Sequence, residues 1–246
     1  MSDQNDRRYL QTLDPFIMVD CCQMENAPNY NKWLYELVKP FIGNRVLEIG
    51  SGTGTMSRKV IEDVELLVGL EPNQYCADVL LKTLKNDRRF TLIKSSIEDC
   101  DYQDLKEYQF NTILCVNVLE HIEDDIATLL FFEKIIEPGG RVVLLVPAFP
   151  QAYGPIDKAV GHFHRYSKSS ISEVLGKTSL KAENLFYSNF LGLLGWFFNA
   201  RIRGSTSQND FQIKLYNKIV PLISFIEKRV GCPIGLSLIS VSRKIK

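Results

Sequence analysis

VLEIGSGTG, at residues 46–54, is the stretch that decides the fold of this chain. Its first four residues are mostly apolar and strand-forming, and glycine then occupies positions 50, 52 and 54. A helix-compatible run follows over residues 56–62. Because glycine has no Cβ, the backbone turns sharply and a ligand approaches the main chain closely. A strand, a glycine turn and a helix start therefore predict a ligand-binding crevice in an α/β fold, with free helix amides pointing into it.

The acidic residue inside the strand, Glu48, indicates which ligand the crevice takes. A carboxylate repels a pyrophosphate and suits a ligand with an ammonium group. The dinucleotide fingerprint also needs a small residue at its third glycine position. Counting from Gly50 that position is Thr55, and counting from Gly52 it is Ser57. The loop therefore disfavours a nicotinamide dinucleotide and favours S-adenosylmethionine (SAM), which carries an amine, a carboxylate and a sulfonium but no phosphate.

Composition limits the class of protein. The 246 residues allow one large domain, and the apolar fraction of 45% is ordinary for a soluble globular protein. The formal net charge is zero, so we expect no nucleic acid partner. The six cysteines form no CxxC pair, and the first residues are polar, which together indicate a reduced, cytoplasmic protein. No single element carries a His/Asp pair at ligand spacing, so we expect no metal site.

Strand and helix patterns alternate from residue 45 onward. Strands are predicted at 45–50, 66–70, 90–94, 110–116, 141–146, 181–187 and 236–244. Helices are predicted at 73–85 and 124–136, the second closed by Pro138-Gly139-Gly140. This alternation is typical of a doubly wound, mostly parallel α/β sheet with right-handed crossovers, here with seven strands. Ligands of such sheets bind beyond the carboxyl ends of the strands.

We interpret the whole chain, 1–246, as one domain. Residues 1–43 are predicted to form N-terminal helices, and the amphipathic pattern over 30–41 suits either a lid over the crevice or packing against the sheet. Residues 44–188 form the ligand-binding core, 189–233 an apolar helical insertion, and 234–246 the last strand.

The order of the motifs resembles a known family. VLEIGSGTG is followed by VGLEPN, by SSIED, by LCVNVLEHIEDD and by EPGGRVVLLVP. Over residues 44–147 this order is similar to that of the class I SAM-dependent methyltransferases. The resemblance implies a Rossmann-like fold, SAM as cofactor and a methyltransferase activity. It also implies that the methionine part of SAM lies against Glu48 and the loop residues Gly50, Ser51, Gly52 and Gly54.

The rest of the cofactor site is implied by the same resemblance. Glu71, followed by Pro72, would hold the ribose, and its place about 20 residues after the first glycine also fits a ribose-binding acid. Ser96 and Ile97 would flank the adenine, with Ser96 where many members have Asp. Asn117 would lie beside the sulfonium.

Candidate proton-transferring groups cluster after the fifth strand, in PAFPQAYGPIDKAVGHFHRYSK. An acceptor hydroxyl needs a base, and imidazole side chains exchange protons near neutral pH, so His162 is the first candidate. His121 and Tyr166 follow, and Arg165 is a candidate for holding an acidic group of the substrate. The alternative is structural, with His121 as a hydrogen-bonding residue and the loop as a surface segment in which Arg and His brace each other.

Two apolar stretches make up the insertion. The first begins FLGLLGWFFNARIRG at residue 190, and the second repeats apolar residues at helical spacing over 211–230. Neither reaches the roughly 20 apolar residues that span a bilayer. Aromatic residues near Arg201 and Arg203 suit a peripheral membrane contact through 190–203. A lid over an apolar substrate, a dimer face and core packing are the other interpretations, and the oligomeric state is open.

The predicted function is methyl transfer from SAM to a small-molecule acceptor. The segment YGPIDKAVGHFHRYS resembles a subgroup of bacterial-type methyltransferases linked with glycan or envelope synthesis, so a glycan, a lipid-linked molecule or another apolar metabolite is the expected acceptor. Oxygen, nitrogen and carbon all stay open as the methylated atom. The alternative is a non-catalytic SAM-binding module that uses its apolar insertion to bind a partner or a membrane. A nicotinamide-dependent oxidoreductase is disfavoured by Glu48 and Thr55.

Overall fold

A computed structural model describes residues 25–198 and 210–245 of the chain. The predictions for helices before residue 25, and for the segment that contains Arg201 and Arg203, lie outside the described residues.

Seven strands form the centre of the molecule: β1 (Arg45–Ile49), β2 (Leu66–Leu70), β3 (Phe90–Ile93), β4 (Phe110–Val116), β5 (Ile136–Pro147), β6 (Leu180–Ser188) and β7 (Ser237–Lys244). They make one sheet in the order β3-β2-β1-β4-β5-β7-β6. Among the described strands, only β7 runs antiparallel to its neighbours, β5 and β6. The predicted seven-stranded, mostly parallel sheet is confirmed. The strand order reverses between β1 and β4, so a crevice forms beyond the carboxyl ends of these two strands.

Helices flank this sheet: α1 (Pro28–Val38), α2 (Ser57–Val60), α3 (Gln74–Leu84), α4 (Tyr102–Lys106), α5 (Asp125–Ile135), α6 (Pro155–Ala159), α7 (Lys168–Leu175), α8 (Phe190–Phe197) and α9 (Asp210–Val230). Short polar side chains fix several helix starts, as when Asp124 accepts the Ala127 N–H at 2.8 Å before α5. Helices α8 and α9 are the predicted insertion between β6 and β7. No helix of the described residues combines the length and apolarity needed to cross a bilayer.

The core has two layers because both faces of the sheet are covered. Successive residues of a strand point to opposite faces, so Leu47 joins the apolar cluster on one side while Val46 joins the cluster on the other. Both side chains are fully buried. The near-continuous apolar character of β1 follows from this double burial.

The predicted start of the fifth strand is wrong. The prediction began at residue 141, because Pro138-Gly139-Gly140 reads as a turn, but β5 begins at Ile136. Ile136 is buried and pairs with Phe110, and the register then shifts so that Arg141 pairs with Thr112. The residues between form an irregularity within the strand, where Gly139 has φ +82°.

The N-terminal helix α1 both packs on the core and meets the insertion. Leu34 and Val38 belong to an apolar cluster beside the sheet. Trp33, on the same helix, contacts Val220 and Ile223 of α9 in a separate cluster. Helix α1 therefore joins the insertion to the sheet.

Candidate active site

The glycine loop after β1 adopts a conformation that favours glycine. The φ angles of Gly50, Gly52 and Gly54 are +66°, +55° and +87°, in the left-handed region that residues with a Cβ rarely adopt. A Cβ on Gly50 would also lie 2.4 Å from a methyl group of Val118. The loop therefore presents bare backbone at this point.

Glu48 is buried where β1 enters the loop. Its side chain is 3% exposed, and its carboxylate accepts a hydrogen bond from Ser57 Oγ at 2.5 Å. Burial raises the pKa of Glu48 to about 7, although hydrogen bonds to the carboxylate act in the opposite direction. An ammonium group beside it would favour the charged form. The residue therefore fits the amine of SAM.

Glu71 is held against the same loop. Its carboxylate accepts the Gly52 N–H at 2.7 Å and the Asn73 N–H at 2.8 Å. Burial raises the pKa of Glu71, against the opposing effect of these two hydrogen bonds. The side chain lies next to the glycine loop, as a ribose-binding acid requires.

A cavity of about 760 Å³ adjoins the loop. It brings together predicted residues from both sides of the reaction: Glu48, Gly50, Ser51, Gly52, Asn117, His121, His162 and Arg165. Its remaining walls come largely from α1, α8 and α9, and include Tyr30, Asn31, Leu34, Leu191, Leu194, Leu215 and Ile219. A lid was one of the interpretations of residues 30–41 and of the insertion, but the individual wall residues could not be named from sequence, because their convergence depends on how the helices pack.

Several predicted cofactor residues do not line this cavity, and Glu71 is one of them, although its carboxylate accepts the N–H of Gly52, which does. Gly54 packs towards Leu80, and Pro72 is exposed. Ser96 donates a hydrogen bond to Asp99 at 2.8 Å. Ile97 belongs to the main apolar core. The adenine assignment of Ser96 and Ile97 therefore stays a prediction from the family resemblance.

An ordered carboxylate–imidazole pair lies on the acceptor side of the cavity. His162 Nδ1 lies 2.8 Å from Asp157 Oδ1, and Asp157 is fully buried. Burial opposes ionisation of Asp157, but hydrogen bonds from His162 and Arg165 outweigh it and lower its pKa. An ionised carboxylate accepts the Nδ1–H, so Nε2 is the nitrogen left to take a proton. By its residue type Asp157 was one of the proton-transferring groups of this loop, but it was not a predicted site residue; its position five residues before His162 was the available signal.

Arg165 supports this pair. Its Nε donates to Asp157 Oδ1 at 2.7 Å, and a terminal nitrogen donates to the Ala148 carbonyl at 3.1 Å. The guanidinium also stacks on the Trp196 ring, 4.3 Å from its centroid. Because its charge is paired with Asp157, Arg165 is better suited to position Asp157 and His162 than to hold an acidic substrate, the role suggested by its sequence.

Three side chains of types that bind metal ions lie close together: Glu120, His121 and His162. Their candidate ligand atoms all lie within 4.8 Å of one another. Burial, and then the neighbouring His162, lowers the pKa of His121 to about 4, so His121 is neutral at neutral pH. Glu120 and His121 follow β4 whereas His162 follows α6, so the grouping joins two segments and spacing within single elements did not reveal it. The expectation of no metal stays a prediction.

Tyr166 faces the core. Its hydroxyl donates to Asp125 at 3.1 Å, and the side chain is 1% exposed. Burial, followed by the charge of Asp125, raises the pKa of Tyr166 far above its ordinary value. Tyr166 is also absent from the residues that line the cavity. Its geometry is therefore that of a structural residue, and the predicted role as a reserve base has no support in these contacts.

This fold, with a bare glycine loop after β1 and buried acids near the ends of β1 and β2, defines the class of doubly wound α/β proteins that bind a ligand beyond the carboxyl ends of their strands. A family profile described as a methyltransferase domain matches residues 8–184, more than half of the chain. The chain therefore belongs to this family, the class I SAM-dependent methyltransferases, enzymes that take their methyl group from SAM. The predicted family, fold and cofactor are confirmed.

Three similar proteins, one matched by sequence and two by structure, share at most 24% of their residues with this chain. The ubiquinone biosynthesis O-methyltransferase of Vibrio cholerae serotype O1 is 24% identical over 111 residues, which cover 45% of this chain and 44% of the relative. The chain thus matches less than half the length of this curated relative. The N-methyltransferase NodS from Bradyrhizobium japonicum, solved with S-adenosyl-L-homocysteine, has a TM-score of 0.55 at 12% identity and covers 87% of this chain and 85% of its own. An S-adenosylmethionine dependent methyltransferase from Mesorhizobium loti has a TM-score of 0.58 at 14% identity, and the match covers 85% of this chain and 95% of the Mesorhizobium loti chain. Both structures share the fold.

Proposed function

We propose that this chain transfers a methyl group from SAM to a hydroxyl group of a small-molecule acceptor, with His162 as the base. One observation carries the proposal: the glycine loop with Glu48 and the Asp157–His162 pair belong to the same cavity region, with the loop and His162 in its lining. The printed name of the Vibrio cholerae relative, an O-methyltransferase, supports oxygen as the accepting atom.

Bound SAM supplies an electrophilic methyl group on a positively charged sulfur. The residues of this chain bind and align it. In this proposal Glu48 neutralises the amine, Glu71 holds the ribose, and Asn117 lies beside the sulfonium. Positioning is the main contribution, because holding two reactants in line converts a bimolecular step into one that resembles an intramolecular step.

The proton of the acceptor hydroxyl passes to His162 Nε2. Held by Glu48, Glu71 and Asn117, SAM would supply the methyl group that bonds to the acceptor oxygen, and the neutral thioether would be the leaving group. Asp157 stabilises the imidazolium that results, because its carboxylate already accepts the Nδ1–H at 2.8 Å. Arg165 fixes Asp157 in this orientation.

The acceptor in this proposal is largely apolar and carries a hydroxyl group. Leu34, Leu191, Leu194 and Ile219 supply apolar wall, while His121 and His162 supply polar groups at one end. An isoprenoid or other lipid-linked molecule, or a glycan with an apolar aglycone, combines these two features. We place the reaction in the cytoplasm, and the described free thiols of Cys76, Cys100, Cys115 and Cys232 support this.

A screen of hydroxylated acceptors with methyl-labelled SAM, followed by mass spectrometry of the products, tests the proposal. We expect label in an apolar, hydroxylated acceptor and loss of transfer in His162→Ala. SAM binding by calorimetry without transfer to any acceptor class would instead favour the non-catalytic module, for which the exposed apolar residues of α8 and α9 are the specific observation.

A further inference from the structure

Helix α9 carries a continuous apolar stripe on its exposed side. Leu215, Ile219, Leu222 and Ile226 recur at spacings of three and four residues, so they share one side of the helix. All four are exposed, Leu222 by 63%. A neighbouring side of the helix, with Val220 and Ile223, packs on α1. The stripe is therefore not the surface that attaches α9 to the fold.

Helix α8 adds a second exposed apolar surface. Leu191, Leu194 and Phe197 are each at least 40% exposed. The two helices are joined at the start of α8, where Glu227 of α9 accepts the backbone N–H groups of Asn189 and Phe190 at 2.9 and 2.8 Å. We call the combined surface the α8–α9 face, made of Leu191, Leu194, Phe197, Leu215, Ile219, Leu222, Phe225 and Ile226.

The acceptor cavity opens on this face. Leu191 and Leu194 of α8, and Leu215 and Ile219 of α9, line the cavity and are exposed to solvent at the same time. A residue that does both lies at an opening. An apolar molecule that enters here would pass between apolar side chains from the surface to the cavity.

Basic side chains run along one edge of the face. Lys214, Lys218 and Arg229 are exposed on α9, and the 100° turn per residue of an α-helix sets them beside the apolar stripe. The guanidinium of Arg229 lies over the Phe225 ring, 3.5 Å from its centroid. Glu227, an acidic residue of the same helix, points to the start of α8 instead. Apolar side chains edged by positive charge are the composition that binds an anionic lipid surface.

We propose that the α8–α9 face binds an anionic membrane surface, and that the acceptor, an amphiphile dissolved in that membrane, enters the cavity through the opening on this face. The second part depends on the proposed function, whereas the first does not. A second copy packed symmetrically through the same face would cover the apolar stripe but would bring Lys214, Lys218 and Arg229 towards their own counterparts, so the anionic membrane is the occupant that the charges favour.

Co-sedimentation of the full chain with vesicles tests the lipid contact. We expect binding to vesicles of phosphatidylcholine mixed with phosphatidylglycerol, and much weaker binding to phosphatidylcholine alone. The double variant Leu222→Glu/Phe225→Glu changes exposed residues outside the cavity lining. We expect it to bind these vesicles at least about tenfold more weakly than the parent. Lys214→Glu/Lys218→Glu should lose the preference for the anionic vesicles.

Leu130→Glu is the matched control, because Leu130 is an exposed apolar residue on α5, away from this face. It should bind vesicles as the parent does. Equal binding by Leu222→Glu/Phe225→Glu and the parent would overturn the proposal. A second result would also overturn it: no binding of the parent to vesicles, together with light scattering that shows a dimer in the parent and a monomer in the double variant. A second copy of the chain would then cover the face.

The acceptor route has a separate measurement. Leu222→Glu/Phe225→Glu should keep the parental rate on a short-chain, water-soluble acceptor and lose about tenfold on the same headgroup carried in anionic vesicles. Equal rates on the vesicle-borne acceptor would overturn the route. Vesicle binding with no methyl transfer to any acceptor would refute the proposed function while leaving the lipid contact in place.

Discussion

The donor and acceptor sides of the cavity are built differently. On the donor side, Glu48 and the glycine loop come from one short stretch, and Glu71 follows one strand later. On the acceptor side, His121 follows β4, His162 lies in the segment after α6, and the walls come from α1, α8 and α9. The donor side is thus specified by local sequence and the acceptor side by packing over long sequence distances. Acceptor specificity can then change through the helices while the SAM loop stays intact.

The largest expected effect comes from a substitution on the acceptor side, which should lower turnover but leave SAM binding intact. His162→Ala removes the proposed base, so we expect turnover to fall about 10²–10⁴-fold, with SAM affinity close to that of the parent. Rapid-quench kinetics and calorimetry measure the two quantities. His164→Ala is the control, because His164 contacts Asp125 at 3.3 Å and does not line the cavity. Parental turnover in His162→Ala would remove this residue as the base.

The corresponding test on the donor side is Glu71→Ala. Loss of its carboxylate removes the proposed ribose contact and the hydrogen bond from the Gly52 N–H, so SAM affinity should fall about 10–100-fold. Glu65→Ala, an exposed acid before β2, should leave the affinity unchanged. Isothermal titration with SAM checks both variants, and an unaltered dissociation constant in Glu71→Ala would contradict the ribose role.

A smaller effect, a change of SAM affinity with pH, should identify Glu48 as the titrating group. The pKa of Glu48 is raised from 4.5 to about 7, so the ligand-free fold favours its protonated form. Burying this carboxylate lowers the free energy of unfolding in a way that depends on pH. The loss is absent below pH 4.5, grows between pH 4.5 and about pH 7, and is constant above about pH 7. Because the SAM amine favours the ionised carboxylate, SAM affinity should rise about fivefold from about pH 6 to about pH 7, below the pH at which an α-amino group loses its own proton.

Glu48→Gln is the variant that isolates this group. It should bind SAM more weakly near neutral pH and show a flat pH profile over the same interval. A slope equal to that of the parent would assign the titration to another group.

The smallest expected effect concerns the cluster of Glu120, His121 and His162. If His162 is a base, dialysis against a chelator should leave turnover unchanged, and Mn²⁺ or Zn²⁺ should give no increase. A tenfold loss that a divalent ion restores would show that these residues act as ligands. Metal analysis of the purified protein provides a readout that does not depend on activity.

Much of the fold was predictable because its signals are local. Alternating strand and helix patterns located β2 and β4 at their observed bounds. The start of β5 was missed, because Pro138-Gly139-Gly140 is a turn signal by composition. What overrides it is a tertiary contact, the burial of Ile136 opposite Phe110.

The acceptor side was predictable only in its residue types. Sequence ranked His162 first as the base, ahead of His121 and Tyr166, and gave Arg165 a substrate-holding role, but it offered no contacts that test this order. Burial turns Tyr166 into a core residue, and Asp157 takes the charge of Arg165. These differences come from contacts between segments, which residue spacing does not encode.

By itself, then, the sequence determined the parallel sheet, the glycine loop and the two acids beside it, because strand periodicity and the conformational freedom of glycine act within a few residues. Only the tertiary structure decided which histidine of the cavity lining is paired with a buried carboxylate, that Glu48 titrates near neutrality, and that residues of α8 and α9 line the cavity. Each of these depends on desolvation and on contacts between distant segments, and both exist only once the chain has folded.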